Sequence, residues 1–170
     1  MDEYVVESGM KFGPFSPEAY IHIETCPQYV NIQKGMHISE FIYYDKDKRR
    51  IIAIEAKTSA PNPNSEKVEK PKEKFQKYIN EITEKFENTL DLYVNMALKK
   101  EVPKEFKQID YDKTEIYFIL VIKEHERTWL KDVKDALEMS MKAIRRVDKI
   151  WKCKVLVINE AIARRNHLII

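Results

Sequence analysis

Three ionisable residues interrupt what would otherwise be continuous apolar strand sequence: Glu40, Glu55 and Lys57. Two apolar runs, 41–44 and 51–54, flank a charged segment, 45–50, and this layout predicts a β-hairpin. Glu40 opens the first run, while Glu55 and Lys57 occupy alternate positions at the end of the second. Charges at the ends of apolar strands are costly to bury and call for a compensating role. A turn centred between Asp47 and Lys48 pairs positions whose numbers sum to 95. It sets Glu40 opposite Glu55, with Cβ atoms roughly 5 Å apart, and puts Lys57 on the same face. A turn shifted by one residue pairs Glu40 with Lys57 instead and still keeps all three together. Two carboxylates this close repel by about 3 kcal/mol at an effective dielectric near 20. Lys57 offsets part of that. A divalent cation offsets more, because two carboxylates and a strand carbonyl are the hard oxygen ligands Mg²⁺ takes. A metal beside an ammonium suits phosphodiester hydrolysis, in which the ion polarises a phosphoryl oxygen and lowers the pKa of a water. The lysine positions that water or neutralises developing charge.

The surrounding chain supplies the elements that would hold such a group. A short strand is expected at 4–7, then a turn-rich passage with Gly9, Gly13, Pro14 and Pro17. Ser16 could cap a short turn of helix there, with Pro17 at the first position. Alternation through Tyr20, Ile21, His22, Ile23 and Glu24 predicts a strand over 19–25, and 26–30 reads as a helical turn or loop. After the hairpin, Pro61 and Pro63 stop the second strand. Phe75, Ile79, Ile82, Phe86, Leu90, Tyr93 and Ala97 then recur at helical spacing, with Pro71 marking where regular helix can begin. The run 115–123 predicts a strand buried on both faces, and so does 153–159. Between them a helix is expected over 128–151, with Leu130, Val133, Leu137, Met141, Ile144, Val147 and Trp151 on one stripe. Residues 160–170 predict a short helix and a terminal segment. This order argues for one domain over 1–170 in the α/β (α+β) class, with a mixed central sheet flanked by helices.

Glu40 followed by Glu55-Ala56-Lys57, an acid at the start of one strand and E-x-K at the end of the next, resembles the PD-(D/E)XK nuclease superfamily. That family has the restriction-endonuclease-like fold, and the likeness in element order runs over 21–159. The resemblance implies a Mg²⁺- or Mn²⁺-dependent nuclease acting on nucleic acid, DNA ahead of RNA. Glu40 and Glu55 would be metal ligands, the backbone carbonyl of Ala56 a further one, and Lys57 the catalytic lysine. Some members add an upstream acid, for which Glu24 is the first candidate and Glu7 the second. Ser39-Glu40 stands where Pro-Asp is usual, which lengthens the first carboxylate by one methylene. The family's usual first helix has no clear counterpart. The alternative is a catalytically degenerate nuclease fold serving as a nucleic-acid- or protein-binding module. A homodimer or larger complex is a further expectation, since cutting both strands often takes two subunits.

D/E-x-K also occurs at Glu105/Lys107 and Asp132/Lys134, but only Glu55/Lys57 follows four apolar residues and precedes a proline-rich stop. Ser59, in the loop leaving the motif, and Gln76 and Lys77, early in the long helix, are candidate substrate contacts. His22, His37, His125 and His167 have no metal-ligand spacing, and Trp129 and Trp151 read as core. Arg145, Arg146, Lys149, Lys152 and Lys154 form a basic cluster that could track a phosphate backbone, though Asp148 interrupts it. The formal charge is +2, so bulk charge makes no case for nucleic acid. Three glycines exclude a glycine-rich phosphate loop. Isolated Cys26 and Cys153 lack zinc-site spacing and are expected to be reduced. No secretory pattern opens the chain and no apolar run reaches membrane length, so a cytoplasmic protein with no membrane partner is expected.

Overall fold

Two buried faces of one sheet account for the long apolar runs. Residues 2–141 and 153–170 are described in the structure, a computed structural model. Strands β1 (Glu3–Glu7) and β2 (Met10–Phe15) form a separate hairpin. The central sheet holds β3 (Tyr20–Ile21), β4 (Phe41–Asp45), β5 (Arg50–Lys57), β6 (Glu115–Ile122) and β7 (Lys154–Asn159), in that spatial order. β4 runs antiparallel to both its neighbours, β3 and β5, whereas β5, β6 and β7 are mutually parallel. Helix α1 (Pro27–Val30) is a single turn. Parallel pairs need crossovers, and α2 (Pro71–Leu98) and α3 (Leu130–Ser140) lie in the two such connections, followed after β7 by α4 (Glu160–Arg165). The sheet is mixed and flanked by helices, an α+β arrangement.

One face, with Ile42, Ile51, Ala53, Phe118 and Leu120, packs under Ile79, Ile82 and Phe86 of α2 and Val133 and Leu137 of α3. The other, with Phe41, Ile52, Ile54, Ile119 and Val121, packs under Phe12 and Phe15 of the hairpin and Leu168 and Ile169 of the tail. The hairpin and the tail are joined: Gly13 N–H donates to Leu168 O and Ile170 N–H to Lys11 O. At the hairpin tip Ser8 (φ 48°) and Gly9 (φ 71°) both take left-handed backbone, as a two-residue reversal of this type requires.

Several elements differ from expectation. The strand expected over 19–25 pairs only at Tyr20 and Ile21, opposite Tyr43 and Ile42. Its partner β4 begins at Phe41, so the ladder ends there, and Ile23–Thr25 closes into a 3-10 turn with Ile23 fully buried. The glycine- and proline-rich passage contains β2, because Met10, Phe12 and Phe15 all reach the second core. Ser16 does cap a short turn, its Oγ accepting from Glu18 N–H. The helix expected over 128–151 stops at Ser140, where Met141 leaves helical backbone (ψ 78°). The remainder, with Ile144, Arg145, Arg146, Val147, Lys149, Trp151 and Lys152, lies outside the described residues. Lys154 pairs with Glu115 (2.7 Å). Trp129 is not core: it is 44% exposed, one residue ahead of the buried stripe of α3.

Candidate metal centre at the end of strand β5

The hairpin takes the expected register. Phe41 pairs with Ile54 and Asp45 with Arg50, each pair summing to 95, and Glu40 N–H donates to Ile54 O (3.0 Å). Period-two alternation therefore turns Glu40 and Glu55 to the face covered by α2. Both are buried, Glu55 at 0% exposure.

Helix α2 supplies what the hairpin lacks. Tyr78, Glu81 and Lys85, at helical spacing on one side of α2, lean toward β5. Lys85 Nζ lies 2.8 Å from Glu55 Oε1 and 4.0 Å from Glu40 Oε1, so one ammonium bridges the two carboxylates. Lys57 Nζ is 2.9 Å from the same Glu55 oxygen and 3.8 Å from Glu81. Both lysines thus hold Oε1, and the second oxygen, Oε2, is buried with no hydrogen-bond partner among the described residues. The Tyr78 hydroxyl is also buried without a described partner. Burial, then Glu55 and Glu81, raise the Tyr78 hydroxyl, keeping it protonated. The segment before β4 is tied to the same helix: Ser39 N–H donates to Thr89 Oγ1, and Asn88 Nδ2 to His37 O, both at 2.8 Å.

A second group of ligands comes from the N-terminal region. Glu7 ends β1, while His22 and Glu24 belong to the turn that follows β3. One ligand atom from each lies within 4.8 Å of the other two. These groups act electrostatically on Glu40. Burial, Glu55, Glu24 and Glu7 together push its carboxyl up to about 8, with Lys85 opposing. Burial also raises Glu55, against the two lysines, and raises Glu7, aided by Glu24. For Lys85 burial favours the neutral amine, but Glu55, Glu40 and Glu24 outweigh it and the ammonium is raised. Glu7, Glu24, Glu40 and Glu55 thus share their surroundings with the two ammoniums Lys57 and Lys85. This crowding of carboxyl groups in partly desolvated surroundings favours protons on some of them, or a cation between them.

The expected residues divide accordingly. Glu40, Glu55 and Lys57 share one face, and Glu24 stands with them, on a 3-10 turn rather than a strand. The Ala56 carbonyl accepts from Ser8 Oγ (3.1 Å), so one of its two lone-pair directions is occupied by the hairpin tip. Ser59 is exposed in the loop after β5. Gln76 and Lys77 are exposed on α2, and Gln76 donates to Asn80 (2.8 Å). None of these three makes a hydrogen bond or ion pair with Glu40, Glu55 or Lys57 among the described residues. Sequence reasoning missed Lys85, Tyr78 and His22. For Lys85 and Tyr78 the available signal was their shared helical face; for His22 it was alternation with Glu24. No helix among the described residues is long and apolar enough to cross a membrane. No family model, curated protein or solved structure matches the chain.

Proposed function

We propose that the chain is a metal-dependent nuclease that hydrolyses phosphodiester bonds of nucleic acid, DNA in preference to RNA, in the manner of the PD-(D/E)XK superfamily. The observation that carries this reading is the crowding of carboxyl groups around Glu55 Oε2, an oxygen that is buried and unpartnered among the described residues. A buried carboxyl oxygen left without a partner is unfavourable until a cation or proton meets it, even though two ammoniums hold the other oxygen. Glu40 and Glu55 would hold the ion, with Glu24, Glu7 and His22 as the nearest further donors. A carboxylate-rich set with one imidazole suits Mn²⁺ as well as Mg²⁺. Bound there, the ion would supply Lewis acidity and a hydroxide source near neutral pH.

The protein's own residues do the rest. Lys57, with its side chain 25% exposed at the mouth of the group, can receive an anionic phosphate oxygen while Glu55 orients it. Lys85 neutralises the Glu40–Glu55 pair from beneath, so the carboxylates stay together when no substrate is bound.

Purified protein incubated with Mn²⁺ or Mg²⁺ should cleave single-stranded, duplex or branched DNA, or RNA. Glu55→Ala and Lys57→Ala should each abolish cleavage. The reading fails if the wild type cuts none of these, or if either variant keeps its activity.

The Lys85 bridge favours a second reading, a degenerate nuclease fold that binds nucleic acid or protein without chemistry. An internal ammonium already answers both carboxylates. Titration calorimetry separates the two, since a binding module associates equally well in EDTA and in Mn²⁺.

A further inference from the structure

A cavity of about 210 Å³ opens beyond the carboxyl ends of β5 and β6. Its walls are the loop that follows Lys57, the start of α2, and the connection from β6 into α3. Lys123 N–H donates to Lys57 O (2.9 Å) and Glu124 N–H to Thr58 O (2.8 Å). These bonds anchor both loops on the strand end that carries the catalytic lysine. The crevice outside the carboxyl ends of parallel strands is where such sheets bind ligands. The volume lies below the roughly 300–1,000 Å³ of a pocket that encloses a whole ligand. It suits a single flat ring system.

The lining is aromatic with a few polar groups. Trp129 and His125 stand edge to face with ring centroids 5.8 Å apart, and Phe75 contributes a third ring. Asn62 accepts from Asn64 N–H at Oδ1 (2.8 Å), which leaves its Nδ2 as a free donor direction among the described residues. The Asp132 carboxylate supplies an acceptor. The His125 ring packs against Trp129 and its Nε2 is buried with no partner among the described residues, so it shapes the wall rather than the polar lining. Burial lowers this imidazole from its ordinary value, which keeps it neutral.

We infer that this cavity receives one nucleobase of a single-stranded nucleic acid, stacked on Trp129 and read at its edge by Asn62 and Asp132, beside the strand end that carries Lys57. The inference rests on the nuclease reading for its substrate class and adds that the substrate presents an unpaired base. Aromatic stacking holds bases of any sequence, and edge contacts from amide and carboxylate then select among them.

The test is metal-free binding. Fluorescence anisotropy of a labelled single-stranded oligodeoxynucleotide is compared with the same backbone made fully abasic, both in EDTA. The base-bearing strand should bind at least about fivefold more tightly. Trp129→Ala should weaken it roughly 5- to 150-fold while leaving the abasic strand unchanged. Trp129→Phe should restore most of the difference. Trp129 is exposed, so the variant is expected to fold; Asn62→Ala, which should narrow selectivity between bases, is an independent check. Equal binding of the two strands, binding of neither, or discrimination that survives Trp129→Ala each overturns the inference. A mononucleotide that binds as tightly as the strand overturns it too, since the cavity would then be a free-nucleotide site. No metal is present, so failure here leaves the cleavage assay standing, and failed cleavage leaves this binding result standing.

Discussion

Replacing Lys85 with Met should have two effects of opposite sign. Lys85 Nζ is 2.8 Å from a fully buried Glu55 oxygen and 4.0 Å from Glu40. Removing one partner of a buried pair costs about 3–5 kcal/mol. Here Lys57 remains on the same oxygen at 2.9 Å, so the expected loss in EDTA is smaller, about 2–3 kcal/mol. For a chain of this length that lowers Tm by roughly 4–12 °C. The same change removes a positive charge from the place a cation would enter. A divalent ion about 6 Å from an ammonium is repelled by up to ~5.5 kcal/mol at an effective dielectric near 20. Water and salt at the mouth of the pocket reduce this, so Mn²⁺ should bind the variant about 10- to 100-fold more tightly. Free Mn²⁺ at about 100 times the wild-type Kd stabilises the wild type by about 2.7 kcal/mol and the variant by about 4.1 kcal/mol or more. Thermal unfolding in EDTA and in Mn²⁺, with calorimetric titration for the affinities, measures both effects. A variant whose Mn²⁺ affinity is unchanged or weaker refutes the idea that Lys85 and the ion compete for these carboxylates.

Glu40 gives a pH signature. Its folded pKa, about 8, lies above the ordinary 4.5, so the unfolded chain ionises first. Stability in EDTA should therefore fall as pH rises from about 5 to 8, and Glu40→Gln should flatten that slope in urea titrations; matching slopes would count against the burial argument. His22→Ala and Glu24→Gln should each weaken Mn²⁺ binding at least about tenfold by calorimetry, if the group at the end of β1 shares the ion. Phe86→Ala, which empties a fully buried site whose ring centroid lies 5.0 Å from that of Phe118, should cost about 3–5 kcal/mol in urea unfolding.

Much of the hairpin could be read locally. Alternation decided the face, and the charged segment between 41–44 and 51–54 narrowed the register to two, both of which keep Glu40, Glu55 and Lys57 together; the folded hairpin takes the one whose pairs sum to 95. The same local signals failed at 19–25, where alternation was present but the partner strand was not. They also failed at 10–15, where glycine and proline obscured a strand whose apolar residues were plain. Trp129 was placed in the core by type, yet its position one residue ahead of the buried stripe leaves it beside a cavity.

What the sequence by itself determined is the placement of Glu40, Glu55 and Lys57 on one face, the two-sided burial of the parallel strands, and the long helix after Pro71. What only the tertiary structure decided is which distant groups join them. Lys85 reaches Glu55 from 30 residues away, and Ser8 reaches Ala56 from 48. Such meetings depend on the rotation of α2 about its axis and on how the N-terminal hairpin docks. A rotation of one residue, about 100°, would turn Lys85 away from the carboxylates. Packing of Ile79, Ile82 and Phe86 on the sheet sets that rotation, and it exists only once both surfaces are folded.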